Sequence, residues 1–492
     1  MKDLTKGNIY KTFFFFGLPL VLSGLLSQTY GIIDTAIAGR FIGDTALAAI
    51  GATAPLVTFL SSLFWGYGVG FSIYIARLFG AKEYKKIKSA VYSTYLFLAI
   101  VSICLSGMMI ACHDVIFDLL RVEESIRSAA FEYFLWYVGG MFILMLSWNG
   151  VYIMTAFGIG SFPFYMSILS TVLNIGGNIF AVVVLKAGVK GLAIASVVAA
   201  AVVTVSYILK FLSCLKEMGV QKEKARIGFS YIRESLPYAV PNMVQQMVMY
   251  IASLIISPLV NGIGSSASAS YSVISRVYDI NANVYQNSAR SVSNYSAQCL
   301  GKKEYGKLKK GVFAGAIQGV LFLTPFLLAT IFFREPICSL FFKAGASAEA
   351  KQYAYDFAAK CLPFLYLNMI CNLFHGFYRG IKDTGRLFTT TLVGTVVRVV
   401  ATMLLIQKFG MNGFFAGWAI SWGVEAVYCL LSFFAGGWDK TKQWMAADEA
   451  LIHKATGTAE TAETPESVNE TETPEKPESA AKSASETQVK KN

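Results

Sequence analysis

Twelve apolar runs, most of them about twenty residues or longer and bounded by charge or by Gly and Pro, can be drawn along this chain. Twenty apolar residues in a helix match the hydrocarbon thickness of a bilayer. The runs cover roughly 12–38, 46–74, 90–112, 130–155, 163–185, 191–213, 236–260, 267–297, 311–332, 353–378, 387–407 and 412–436. The composition agrees: 55% of the 492 residues are hydrophobic and 15% are charged, where a soluble domain would carry about 25% charge. A water-soluble enzyme is therefore a poor reading. The segment 267–297 is the most polar, with Arg276, Asp279 and Arg290 inside it, and its length and its place in the repeat described below keep it among the spans.

The formal charge of +12 looks at first like a nucleic-acid signature. Residues 455–492 hold eight Glu and four Lys, so this tail carries −4 and the rest of the chain +16. With twelve spans, alternate connections lie on opposite sides of the membrane. One set holds 22 Lys and Arg and the other nine. Lys and Arg are retained in the cytoplasm during insertion, so both termini are expected there, in a multi-pass protein of the cell membrane. The positive charge is then topological, and no nucleic-acid partner is expected. Lys2, Lys6 and Lys11 ahead of the first run resemble a signal peptide, but the run is too long and contains Pro19 and Asp34, so it reads as a retained helix. The acidic tail has almost no large aliphatic residues and is expected to be disordered. The eight Cys and three His show no ligand spacing, so neither a metal nor another cofactor is expected.

The chain also repeats itself. At an offset of 221 residues, Gly80-Ala-Lys-Glu-Tyr-Lys-Lys-Ile-Lys88 lies over Gly301-Lys-Lys-Glu-Tyr-Gly-Lys-Leu-Lys309 with six identities in nine. Ile42-Gly43 lies over Ile263-Gly264 at the same offset, and Lys186 to Gly191 over Lys408 to Gly413 with a slip of one. The expected fold is thus an all-α integral membrane protein of twelve transmembrane helices in two six-helix lobes, 8–214 and 234–436, joined by a basic linker at 215–233. An even number of helices per half makes this a parallel repeat, and transporters so built hold their ligand between the halves. A two-lobed monomer suits a rocking carrier better than a channel.

Ionisable groups inside a span are costly, and each is a functional candidate by default. Asp34 lies deep in the first run, with Ser23, Ser27 and Tyr30 on the same helical face. Two readings stand: a desolvated carboxyl that exchanges a proton or a cation, or a residue at the outer helix end paired with Arg40. At the repeat offset Asp34 falls on Ile255, so only the first half carries the acid. Asn174 and Asn178 share a face of the fifth span, as ligands for a hard cation or as a bond between helices. Ser196 of the sixth span is a further candidate ligand. In the seventh span Asn242 and Gln246 are one turn apart, with Gln245 beside them. The eighth adds Ser275, Arg276, Asp279, Asn283, Gln286 and Arg290 at spacings of three and four, a stripe expected to line a watery cavity. Arg398 and Glu425 are candidate partners across the last two spans.

These residues carry a family resemblance. Pro19, Asp34-Thr35-Ala-Ile-Ala-Gly39, Ile42-Gly43, Leu47-Ala-Ala-Ile-Gly51, the paired basic loops and Arg379-Gly-Ile-Lys-Asp-Thr384 resemble the multidrug and toxic compound extrusion family over about 8–436. The resemblance implies antiport of organic, often cationic, compounds against protons or sodium. It matches Asp34 to the first-helix acid, Tyr30 to its neighbouring tyrosine and Asn174 to the fifth-helix asparagine. Asn178 stands where two-acid relatives have a second aspartate, and Ser196 where they have a threonine. In the second lobe Gln245 replaces an expected Glu and Asn368 an expected Asp.

The expected function is a secondary active exporter of cationic or amphiphilic small molecules, coupled to H+ or Na+ through Asp34, Asn174, Asn178 and Ser196. Its substrate cavity is expected at Tyr30, Gln245, Gln246, Asn283 and Asn368. Membrane lipid surrounds it as the other partner. Two alternatives carry the same architecture: a flippase for a lipid-linked saccharide or other anionic lipid, using Arg276, Arg290 and Arg398 as phosphate partners, and an intramembrane lipid-modifying enzyme, for which no nucleophile constellation exists.

Overall fold

A computed structural model describes residues 1–342, 345–436, 438–440 and 443, without the side chains of residues 29, 30, 32, 34–36, 44, 45 and 47. The acidic tail lies outside the described residues. Among the described residues the first half holds α1 (Ile9–Ile37), α2 (Asp44–Gly80), α3 (Tyr84–Ala111), α4 (His113–Leu119), α5 (Glu124–Gly139), α6 (Met141–Ala156), α7 (Ser161–Ile179) and α8 (Gly188–Glu217). The second holds α9 (Phe229–Asn261), α10 (Ser265–Gly301), α11 (Leu308–Phe332), α12 (Arg334–Ser339), α13 (Ala348–Lys360), α14 (Leu365–Gly380), α15 (Thr384–Phe409) and α16 (Met411–Phe434).

Each of the twelve apolar runs falls on one of these stretches. Ten stretches are long and apolar enough to cross a membrane, and the α5–α6 pair, bent by 47° at its break, is an eleventh. The remaining run is α10, which has the length, 37 residues, but not the apolarity. Its C-terminal part is largely enclosed by other helices: Asn281, Asn287, Ser291, Asn294 and Gln298 are all buried. The fourth and tenth spans, equivalent in the repeat, are both broken, at Gly140 and at the short turn Leu362–Phe364 between α13 and α14.

Lipid tails are as apolar as the side chains, so burial of apolar surface does not drive these helices together; packing and polar contacts do. On α8, Val198, Val202, Val205 and Leu209 are exposed, as lipid-facing residues should be, while Ala195, Ala199 and Val203 are buried. In the second lobe Tyr278, Phe414, Trp418 and Trp422 form an aromatic stack with ring centroids 5.0–6.0 Å apart.

The lobes meet where α2 lies along α9 and α10, and where α1 lies along α10 and α11. Glycines set that approach. A Cβ on Gly70 of α2 would sit 2.3 Å from the Tyr238 carbonyl oxygen of α9. At the end that bears the basic loops, a Cβ on Gly80 would sit 2.3 Å from the Gln298 carbonyl and one on Gly301 2.0 Å from the Arg77 carbonyl. Both pairs are separated by 221 residues, Gly80 from Gly301 and Arg77 from Gln298, so the contact is reciprocal, as a two-fold relation between the halves requires. The turns that follow match too: Lys82 (φ 59) and Lys303 (φ 65) both take the left-handed conformation that ends a helix.

The N-terminal segment crosses this junction. Lys2 N donates to the Phe157 carbonyl at 3.0 Å and Leu4 N to Gln298 Oε1 at 2.9 Å, while Gln298 Nε2 donates to the Ala156 carbonyl at 2.9 Å. Lys302 pairs with Asp3 and donates to Thr5 Oγ1 at 2.9 Å. Burial pushes the Asp3 carboxyl up, but its bonds to Lys302 and Thr5 outweigh that and hold it below the usual carboxylate range.

Candidate functional site

Away from the sealed end, α1, α2, α6 and α7 of the first lobe and α9, α10 and α14 of the second surround a cavity of about 530 Å³. Its wall mixes Ser23, Ser27, Ser61 and Ser62 with Trp65, Trp148, Tyr152 and Met249. Gln245, Gln246 and Asn283 line it, with Gln286, Asn287, Arg290, Ser293 and Asn294 continuing the same face of α10. Among the described residues lining this cavity there is no Asp or Glu; the charged ones are Arg290 and Arg379.

Asn174, Asn178 and Ser196 lie together in the first lobe, buried between α7 and α8. Asn178 Nδ2 donates to Asn174 Oδ1 at 2.9 Å, and Asn174 Nδ2 donates to Ser196 Oγ at 3.0 Å. In this chain of three side chains each amide orients the next. The helix carrying Tyr30 and Asp34, α1, packs along α7. The side chains of Tyr30 and Asp34 lie outside the described residues.

Asn368 is not in the central cavity. It lines a smaller space inside the second lobe with Tyr278, Arg398 and Glu425, and its Oδ1 accepts from Asn372 Nδ2 at 2.6 Å. Asn372 and His375 line both spaces. Glu425 takes His375 as its partner, not Arg398: Glu425 Oε1 is 3.1 Å from His375 Nε2, and both side chains are largely buried. This pairing has a packing cause, since Gly394 leaves room for Glu425, whose carboxylate would meet a Cβ there at 2.2 Å. Gln245 Nε2 donates to Thr391 Oγ1 at 2.8 Å and approaches His375 Nδ1 at 3.3 Å, which leaves the ring hydrogen on Nε2 for Glu425. Removing one member of such a pair strands the other: Glu425→Ala should lower stability by about 2–3 kcal/mol, read as apparent melting temperature. The double variant His375→Phe, Glu425→Leu should lose less than Glu425→Ala alone.

Sequence reasoning passed over Arg379 and His375 as site residues. The signal was present: Asn368, Asn372, His375 and Arg379 are spaced four, three and four apart, one polar face on α14. Arg379 reads as a loop residue only if the helix is ended a residue too early, whereas α14 runs to Gly380.

The MatE family model matches residues 19–180 and 241–404, one stretch in each half. The chain belongs to the MatE family. Among MatE-type relatives, the probable multidrug resistance protein YoeA of Bacillus subtilis is 26% identical over 353 residues, 68% of this chain and 74% of that one. The multidrug export protein MepA of Staphylococcus saprophyticus is 26% identical over 288 residues, 55% of this chain and 60% of MepA. The fold is that of the Vibrio cholerae MATE transporter VcmN, with a TM-score of 0.81 at 18% identity, covering 88% of this chain and 98% of that one. It also matches a multidrug resistance MATE transporter in an outward-facing conformation, with a TM-score of 0.80 at 19% identity over 89% and 98% of the two chains. MatE proteins are transporters and not enzymes, and this chain is a multi-pass membrane transporter for small molecules that needs no cofactor.

Proposed function

We propose that this protein is a secondary active exporter of amphiphilic organic compounds, working as a monomer in the cell membrane with both termini cytoplasmic. The lobes 8–214 and 234–436, joined through 215–233, rock about the central cavity, and a proton or sodium ion taken up through Asp34, Asn174, Asn178 and Ser196 selects between the two states. The observation that supports this reading is the cavity itself. It is walled by both lobes and closed at the basic-loop end by glycine contacts between them, the form of one end-state of a carrier. The names of YoeA and MepA, which speak of multidrug resistance and export, support the choice of organic substrates.

A cysteine placed at Gln246, with the exposed Cys104 and Cys112 replaced by Ser, tests the alternation. An impermeant maleimide should label it from the outside in the resting protein, and adding substrate with the coupling ion should move that reactivity to the cytoplasmic side. Labelling confined to one side under every condition would contradict the proposal.

A further inference from the structure

The sealed base of the central cavity is positively charged, with no Asp or Glu among the described residues that line the cavity. Arg290 of α10 and Arg379 of α14 both line it, within electrostatic reach of each other. Neither guanidinium has a hydrogen bond or ion pair among the described residues. Two features of the sequence bring them there. Arg290, Ser293 and Asn294 occupy positions i, i+3 and i+4, one face of α10. Gly376 and Gly380 let α14 press on that helix, since a Cβ at either would lie 2.3 Å from the Ala289 carbonyl or 2.6 Å from the Ser293 carbonyl.

The groups around the two guanidiniums are donors in waiting. Arg379 Nε, Ser293 Oγ and Asn294 Nδ2 are buried and make no hydrogen bond. Asn294 is tied to the first lobe through Ser72, whose hydroxyl oxygen lies 3.0 Å from the Asn294 amide and 3.0 Å from the Tyr152 carbonyl. Arg290 is held over the Tyr152 ring, its Cζ 5.1 Å from the centroid, which leaves the guanidinium edge able to donate. Buried donors left unmade are costly, and two like charges in one recess add to that cost. A single oxyanion relieves both. Planar guanidiniums are suited to carboxylate and phosphate, which they bind with paired N–H bonds. The walls of the same cavity carry Trp65, Trp148, Val69 and Met249, surfaces for an aromatic or aliphatic body.

We infer that the base of the central cavity is an oxyanion site, in which Arg290 and Arg379, with Ser293 and Asn294, hold the phosphate or carboxylate head of an amphiphilic substrate. The inference rests on the exporter reading for the word substrate, not for the site. Arg276 and Arg398 do not belong to it: Arg398 lines the separate space beside Glu425, and Arg276 lines neither. The same head-group chemistry is carried by soluble organic anions and by anionic lipids.

The test is calorimetric titration of the full-length protein in phosphatidylcholine nanodiscs with 1-naphthyl phosphate and, as matched cation, 1-naphthylmethylammonium. The phosphate should bind about tenfold or more tightly than the ammonium, and Arg290→Gln and Arg379→Gln should each weaken it by about tenfold or more, the size of one charge-assisted hydrogen bond. Arg290→Lys and Arg379→Lys, which keep the charge and lose the fork, should recover part of the affinity and guard against misfolding of the Gln variants. Adding phosphatidylglycerol to the nanodiscs separates the sources: competition with naphthyl phosphate assigns the site to a lipid head group, and unchanged affinity assigns it to a soluble anion. Equal affinity for the two naphthyl compounds, or wild-type phosphate affinity in both Gln variants, would overturn the site. Binding needs no gradient, so a protein that binds the phosphate but exports nothing would overturn the exporter reading and leave the site standing. Export of cations without phosphate binding would do the reverse.

Discussion

Asp34→Asn should reduce gradient-driven efflux in proteoliposomes to the passive leak while leaving the protein folded and its cavity able to bind. The substitution is nearly isosteric and removes one property, the ability to take up and release a proton or to face a cation with negative charge. Asp34 is an acid of the first lobe with no counterpart at Ile255 of the second. The amide chain of Asn178, Asn174 and Ser196 that we assign to the same function is neutral, so it has no charge to substitute for the carboxylate. With no second carboxylate in the assigned set, its loss should leave no coupling. The measurement is the initial rate of uphill efflux under an imposed gradient, compared with binding by the same preparation. Undiminished uphill efflux would remove Asp34 from coupling altogether.

The second large effect concerns the contact between the lobes. Gly70→Val adds three carbons where even a Cβ would lie 2.3 Å from the Tyr238 carbonyl and 2.4 Å from the Ala239 Cα. Backbone cannot rotate away as a side chain can, so α2 and α9 must separate. Overpacking costs about 1–3 kcal/mol, and here the cost falls on the state in which the basic-loop end is sealed. A bias of that size shifts the ratio of the two states by roughly fivefold to 150-fold. Spin labels at Glu83 and Glu304, in the turns that follow α2 and α10, should report a longer distance in the variant than in the wild type. An unchanged distance distribution would mean that this contact does not distinguish the states.

The helices and the repeat were legible because both have a linear signature. A membrane helix announces itself by twenty apolar residues, and a duplication by a constant offset, which is why the turn containing Lys82 and the turn containing Lys303 are the same turn. The polar segment 267–297 is legible by the same offset although its composition points away from lipid. Side-chain partners across helices have no such signature. Glu425 has Arg398 and His375 within plausible reach by topology alone, and the choice of His375 depends on where Gly394 lets the carboxylate lie. Asn368 sits on the polar face of α14, yet it points into the second lobe's interior while Arg379, three turns on, reaches the central cavity. Helical spacing places them on one face; which helices stand opposite each turn of α14 decides which of the two spaces a residue lines.

The most direct test of the account is uphill transport of an amphiphilic dye in proteoliposomes, with a proton gradient and a sodium gradient imposed one at a time. A secondary exporter coupled through Asp34 should accumulate dye against its gradient under at least one of the two, and the Asp34→Asn protein under neither. Accumulation driven by neither gradient in the wild-type protein, or by either one in the Asp34→Asn protein, would contradict it.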